Sequence, residues 1–313
     1  MNSWGPARSA GIALHGHGSQ RTPVWVCMRR NDEKNKHRAR PGRCATRYPI
    51  VLTHGMGLQA RIMGVMDYWG DIPRALKENG ADVHISRVNA LDSHENKAAA
   101  WKEQVLQILE ETGTGKVNVV CHSDGCLYSR HAISNLGMDK ATASHTSLGG
   151  PHRGSCIADM FMHSIPDTSR PMVGNGLNWA SSFAMGDVDP DSMANGEELT
   201  RAHMNDVFNP ATPDMPGVYY QSYAYRVTNA MGAGLLYPTW MAMLPVEGDN
   251  DGLVSVSSAR WGEFQGVIDG GPWSPFGGVN HFSAVGLHPC AAPGYSPEGH
   301  FMDIAARLKD MGF

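Results

Sequence analysis

The sequence predicts an α/β protein, with a mostly parallel central sheet covered by helices on both faces. Three observations carry that prediction. From residue 48 onward, short apolar runs of strand length alternate with segments whose apolar residues recur at helical spacing. Glycine-containing loops punctuate the alternation. The composition, 42% hydrophobic and 18% charged over 313 residues, is that of a folded globular chain and leaves no room for wholesale disorder.

The elements follow in order. Residues 48–53 read as a buried strand, leading into the loop His54-Gly-Met-Gly57. Residues 68–79 are helical, with Trp69, Ile72 and Leu76 on one side and Gly80 as the stop. Residues 81–88 form a strand, and residues 96–111 a helix with the apolar face Trp101, Val105, Ile108 and Leu109. The strand at 117–121 and its following helix (Leu127, Ile133, Leu136) come next, then a strand at 143–148. Between 154 and 217 the rhythm breaks into a Met-rich, Gly- and Pro-containing stretch, and it resumes with a strand at 218–227. The break, taken as 155–217, reads as an insertion capping one end of the domain. Adaptable Met side chains there suit contact with varied apolar shapes.

Charge is unevenly spread. Residues 1–46 carry nine Lys/Arg against Asp32 and Glu33, a local +7, although the whole chain is −4 and the remainder therefore −11. This head lacks periodicity and is expected to be a disordered extension, with Met28 opening a shorter chain. The folded domain is expected over 47–313. No apolar run approaches the roughly 18 residues of a membrane span, no secretory leader stands out, and the net charge gives no general argument for nucleic acid. Six cysteines without CxxC spacing fit a reduced, cytoplasmic protein.

The chemistry concentrates at Val117-Asn-Val-Val-Cys-His-Ser-Asp-Gly-Cys126. A buried strand running into His-Ser-x-Gly and then a helix is the setting in which a strained turn presents a serine beside the positive end of a helix. Cys121 stands where glycine is usual, while Gly125 keeps the second small position. A serine nucleophile needs a base, and the base an orienting acid. Downstream, Asp251 lies in the polar loop Glu247-Gly-Asp-Asn-Asp-Gly-Leu-Val-Ser255, just before an expected strand, with Asp249 as its competitor. His281 follows the Gly-rich loop 270–280. His288 and His300 are the alternatives, and His300 is expected at the surface, opening the C-terminal helix. The backbone amides of Met56 and Asp124 are the candidate oxyanion donors.

Taken together, His54-Gly, Cys121-His-Ser-x-Gly, Gly150-Pro-His-Arg-Gly-Ser155, Asn250-Asp-Gly-Leu-Val254 and Asn280-His281 resemble the bacterial true lipases of the α/β-hydrolase fold, the family I triacylglycerol lipases, over residue 48 to the end. The resemblance implies Ser123, Asp251 and His281 as nucleophile, acid and base. It also implies the Met56 and Asp124 amides as the oxyanion hole and the residues after Gly154 as a lid. Departures from the family pattern accompany it. Ser283 occupies the position where calcium-binding members carry an aspartate ligand, so that site is expected to be absent. No pair of cysteines matches the disulfide of secreted members. Asp124 places a carboxylate beside the oxyanion position and is expected to point to solvent or into a helix cap. His152 and Arg153 either anchor the loop at the base of the insertion or touch a leaving group; anchoring is the simpler role.

The expected activity is hydrolysis of carboxylic esters, acylglycerols or other acyl esters at a lipid interface. No cofactor, metal or obligate protein partner is expected. His145, His163 and His203 lack close metal-ligand spacing. The competing readings are a non-catalytic scaffold of the same fold that binds an acyl ligand or a protein partner, and a basic-tail interaction protein.

Overall fold

The computed structural model describes residues 42–56, 61–62, 66–270, 277–287 and 294–313. Of the extension expected over 1–46, residues 1–41 lie outside them, as do His288 and Cys290. Residues 42–46 already belong to the folded body: Cys44 is buried and its amide bonds Asn79 O, while Arg43 pairs with Asp303 of the C-terminal helix.

The first strand is β1 (Ile50–Thr53), followed by a short antiparallel ribbon of β2 (Arg61–Ile62) and β3 (Met66–Asp67). Then come β4 (Val83–Ile85), β5 (Val117–His122), β6 (Thr142–Leu148), β7 (Tyr219–Tyr225) and β8 (Glu263–Ile268). The six-stranded sheet runs β4-β1-β5-β6-β7-β8, and every neighbouring pair is parallel. Alternate residues of β1 serve opposite faces. Ile50 and Leu52 pack with Trp69, Ile72 and Leu76 at helix α1 (Ile72–Glu78) and with Phe301, Ile304 and Leu308 of the C-terminal helix (Pro297–Asp310). Val51, with Val117, Val119 and Cys121 of β5, packs against α2 (His94–Thr112) and α3 (Gly125–Asn135). On that face Trp101 is fully buried and donates from Nε1 to Thr53 Oγ1 at 3.0 Å; truncating such an indole costs about 3–5 kcal/mol.

Some elements differ from expectation. The helix expected from residue 68 begins at Ile72, because Tyr68 and Trp69 sit in a turn that lets both rings enter the core. After Asp251 the chain forms a short helix, Val256–Ala259, before reaching β8. His300 is not at the surface. It is buried among Tyr223, Tyr225, Tyr295 and Phe301, and burial lowers its pKa to about 4. The error has a plain cause: Ser296 caps the helix, so His300 falls on the second turn, on the same inward stripe as Ile304 and Leu308.

The stretch expected as an insertion is helical. It contains α4 (Cys156–Ser164), α5 (Arg170–Met185), α6 (Ser192–Glu198) and a helical run over residues 201–211. Helix α4 packs against α6 and against the helix Tyr237–Glu247. Met160, Phe161, Met172 and Trp179 are exposed on this part of the molecule.

Candidate active site

Parallel strands all point their C-terminal ends to one edge, so loops distant in sequence converge there. Ser123 stands directly after β5 with φ +58°, a conformation non-glycine residues rarely adopt. That strain is possible because the surroundings leave no alternative. The Ser123 amide donates to Leu148 O at the end of β6, and the chain enters α3 two residues later. A Cβ on Gly125 would lie 2.5 Å from the carbonyl oxygens of both Thr53 and His54, so the helix can approach β1 this closely only without a side chain.

Asp251 and His281 meet at the same edge. His281 Nδ1 donates to Asp251 Oδ2 at 2.7 Å, and both residues are buried. The other carboxylate oxygen accepts the amides of Leu253 (2.9 Å) and Val254 (2.8 Å), and the His281 amide donates back to Asp251 O at 3.0 Å. The carboxylate is therefore fixed and the imidazole held with its proton on Nδ1, which leaves Nε2 free to act as an acceptor. The pair lies beside the elbow. The His281 ring is 4.5 Å from that of His122, the residue before Ser123. A Cβ on Gly149, next to Leu148, would be 3.3 Å from Asp251 Oδ2 and 3.6 Å from His281 Nδ1. Asp249, the competitor, is exposed and pairs with Arg226 at 2.9 Å, away from His281.

The loop after β1 closes the other side. A Cβ on Gly55 would come within 2.6 Å of Ser123 Cβ and 3.0 Å of its Oγ. His54 Nδ1 donates to Gly55 O at 3.0 Å, while His54 Nε2 accepts the Val88 amide at 3.3 Å. Burial keeps this imidazole neutral, with its pKa lowered to about 4. In a trans peptide the carbonyl and the following N–H point in opposite directions. Pinning Gly55 O inward thus fixes the orientation of the Met56 N–H, and Met56 itself is exposed. Tyr68 completes the frame: its hydroxyl accepts the Gly55 amide at 3.0 Å and donates to His122 Nδ1 at 2.5 Å.

Asp124 departs from expectation. Its side chain neither faces solvent nor caps α3; it is buried, with Lys97 Nζ at 2.5 Å from Oδ2 and His94 Nε2 at 2.6 Å from Oδ1. Burial alone would raise its pKa, but Lys97 and His94 outweigh that and hold the carboxyl ionised, well below the usual range. No motif marks Lys97 or His94 in the sequence. The available signal was their place on α2, where His94, Lys97, Ala98, Trp101, Val105 and Ile108 share one buried stripe.

His152 and Arg153 anchor their loop. His152 Nε2 pairs with Ser147 Oγ at 2.7 Å, and Arg153 donates to the carbonyls of Ser257 and Arg260. Cys121 and Cys126 are buried and form no disulfide among the described residues. Ser283, at the position compared with a calcium ligand, uses its hydroxyl within the loop, accepting the Asn280 amide at 2.9 Å and donating to Asn280 O at 3.0 Å.

Comparison with known proteins gives the family. Residues 49–184 match the family model described as palmitoyl protein thioesterase. A triacylglycerol lipase of Vibrio cholerae serotype O1 is 33% identical over 247 residues, 71% of this chain and 77% of that protein. One from Pseudarthrobacter phenanthrenivorans is 36% identical over 127 residues, 40% of this chain and 39% of its own. Among solved structures, a metagenomic carboxyl esterase superposes with TM-score 0.64 at 17% identity, covering 84% of this chain and 76% of that one. Staphylococcus hyicus lipase does so with TM-score 0.61 at 16% identity, covering 85% and 98%. With a parallel sheet, a strained serine at the end of β5 and this extended similarity, the chain belongs to the triacylglycerol lipase family of α/β-hydrolases, which are carboxylic ester hydrolases.

Proposed function

We propose that Ser123 is the nucleophile, His281 the general base and Asp251 the residue that orients it. The observation that carries this reading is the His281–Asp251 bond of 2.7 Å, built on loops beside the +58° turn at Ser123. In this mechanism Ser123 Oγ attacks the ester carbonyl as His281 Nε2 takes its proton. The Met56 and Asp124 amides receive the negative charge of the tetrahedral intermediate. The imidazolium then protonates the leaving alcohol, and an acyl-enzyme remains. Water, activated by the same imidazole, releases the acid.

The substrate class we propose is acyl esters with an apolar chain, acylglycerols foremost. The triacylglycerol lipases among the relatives support it, as do the exposed Met160, Phe161, Met172 and Trp179 on the helices we read as a lid. The thioesterase family model supports a second substrate, an acyl thioester attacked by the same serine. Against a non-catalytic scaffold, the reading suggested by an elbow with Cys121 and Cys126 flanking an acidic Asp124, stands the matching of the Asp124 charge by Lys97. The unpaired buried cysteines Cys44, Cys121, Cys126 and Cys156 support a reduced compartment, and no helix among the described residues is long and apolar enough to cross a membrane.

Hydrolysis of p-nitrophenyl esters from two to sixteen carbons in acyl length, with the matching thioesters and Ser123→Ala as control, tests the proposal. It predicts turnover that rises with chain length and disappears in Ser123→Ala. Equal turnover by wild type and Ser123→Ala would refute it.

A further inference from the structure

The residue after Ser123 carries a buried carboxylate, and the ammonium matched to it takes no part in the proton relay. Lys97 and Asp124 are each 1% exposed. Lys97 Nζ donates to Asp124 Oδ2 at 2.5 Å and to Asn195 Oδ1 of α6 at 3.1 Å. His94 Nε2 donates to Asp124 Oδ1 at 2.6 Å, Asn195 Nδ2 approaches Oδ2 at 3.5 Å, and the His94 amide donates to Glu198 at 2.7 Å. Desolvating two ions is expensive, and an apolar pair of like volume serves stability as well or better. Stability alone therefore does not account for the pair.

Its position at the elbow does. Under the function proposed above, on which this inference rests, the Asp124 N–H faces the developing oxyanion. The carboxylate of the same residue opposes that charge unless it is cancelled nearby. We infer that Lys97 is a positioning residue for the nucleophile elbow. Its ammonium neutralises and holds the Asp124 side chain, so that the backbone N–H is presented without the opposing field. Through Asn195 the same ammonium seats α6 of the insertion against the elbow. The residue acts through Asp124 and touches no reacting atom.

The test measures kcat and KM separately on soluble p-nitrophenyl acetate, well below the melting temperature of each variant. Lys97→Met, which removes the ammonium and leaves the buried carboxylate to the His94 imidazole and the Asn195 amide, should lower kcat about tenfold or more while KM stays within about twofold. The double variant Lys97→Met/Asp124→Asn, with neither charge, should recover most of that loss. Asp124→Asn alone, which leaves the cation, should lose melting temperature yet keep kcat well above that of Lys97→Met. A merely structural role would instead lower both single variants alike or leave the folded enzyme unchanged. Should Lys97→Met not fold, Lys97→Gln removes the charge and keeps a hydrogen-bonding side chain; the same loss is expected.

A folded Lys97→Met or Lys97→Gln with wild-type kcat overturns the inference, as does a double variant no faster than the single. Ser123→Ala runs in parallel. If it retains turnover, the serine mechanism itself has failed; if it is inactive while the Lys97 variants are normal, only the positioning role has.

Discussion

Gly55 and Ser123 touch so closely that a methyl on the former would sit 2.6 Å from Cβ of the latter. Hydrogen bonds hold both residues in place: the Gly55 amide donates to the Tyr68 hydroxyl, and the Ser123 amide to Leu148 O. Gly55→Ala should therefore displace the serine or the Met56 amide. The expected result is a fall in kcat of about 100-fold or more, the size of losing one oxyanion donor, with the far-ultraviolet circular dichroism retained. Ester kinetics on the purified variant check it.

The fixed carboxylate of Asp251 gives a second prediction. Asp251→Asn keeps the shape but replaces the acceptor of the His281 Nδ1 proton with an amide that can favour the wrong tautomer. A loss of about 10,000-fold in kcat is expected, as in other serine triads, and KM should change little. A variant within tenfold of wild type would show that another acid orients the imidazole, and Asp249→Asn serves as the control.

Gly125 offers a test of the fold rather than the chemistry. Its missing side chain allows α3 to meet the β1 carbonyls, with which a Cβ would collide at 2.5 Å. Gly125→Ala should lower stability by about 1–3 kcal/mol, as overpacking does, and reduce activity through the shifted elbow. Denaturant unfolding measures the first effect independently of the second.

Acid sensitivity follows from the buried imidazoles. Burial lowers the pKa of His54 and of His300 to about 4, against 6.5 for the ordinary group. Between those values the unfolded chain binds more protons than the folded one, so the stability contribution is fully present above pH 6.5 and is lost as pH falls toward 4. Each such group contributes about 1.4 kcal/mol per pH unit within that window. The melting temperature should drop on acidification through it. His300→Phe, which suits an aromatic surrounding and removes an Nε2 without a hydrogen-bond partner among the described residues, should make that drop shallower. An unchanged slope would contradict the assignment of His300 as a buried neutral group.

Much of this was legible from the residues. Strand–helix alternation showed the sheet because buried parallel strands are short apolar runs, and Ser123, Asp251 and His281 stood out because each follows a strand or a Gly-containing loop in the expected order. The environment of Asp124 was hidden for a different reason. Its partners lie 27 and 30 residues earlier on α2, and a lysine in an apolar stripe reads as a surface residue until the opposing charge is placed. His300 was missed because a polar residue near a helix start is ordinarily exposed; here three tyrosines and a phenylalanine enclose it. The loop bond that fixes the Gly55–Met56 peptide depends on imidazole orientation, which no spacing of residues encodes.

The central claim is that Ser123 is an activated nucleophile, and covalent capture tests it most directly. The purified protein is incubated with a fluorophosphonate, and the modified peptide is identified by mass spectrometry. One adduct is expected, on Ser123, absent from Ser123→Ala and strongly slowed in His281→Ala. Absence of labelling in a folded wild-type protein that hydrolyses esters, or an adduct on a different residue, would contradict it.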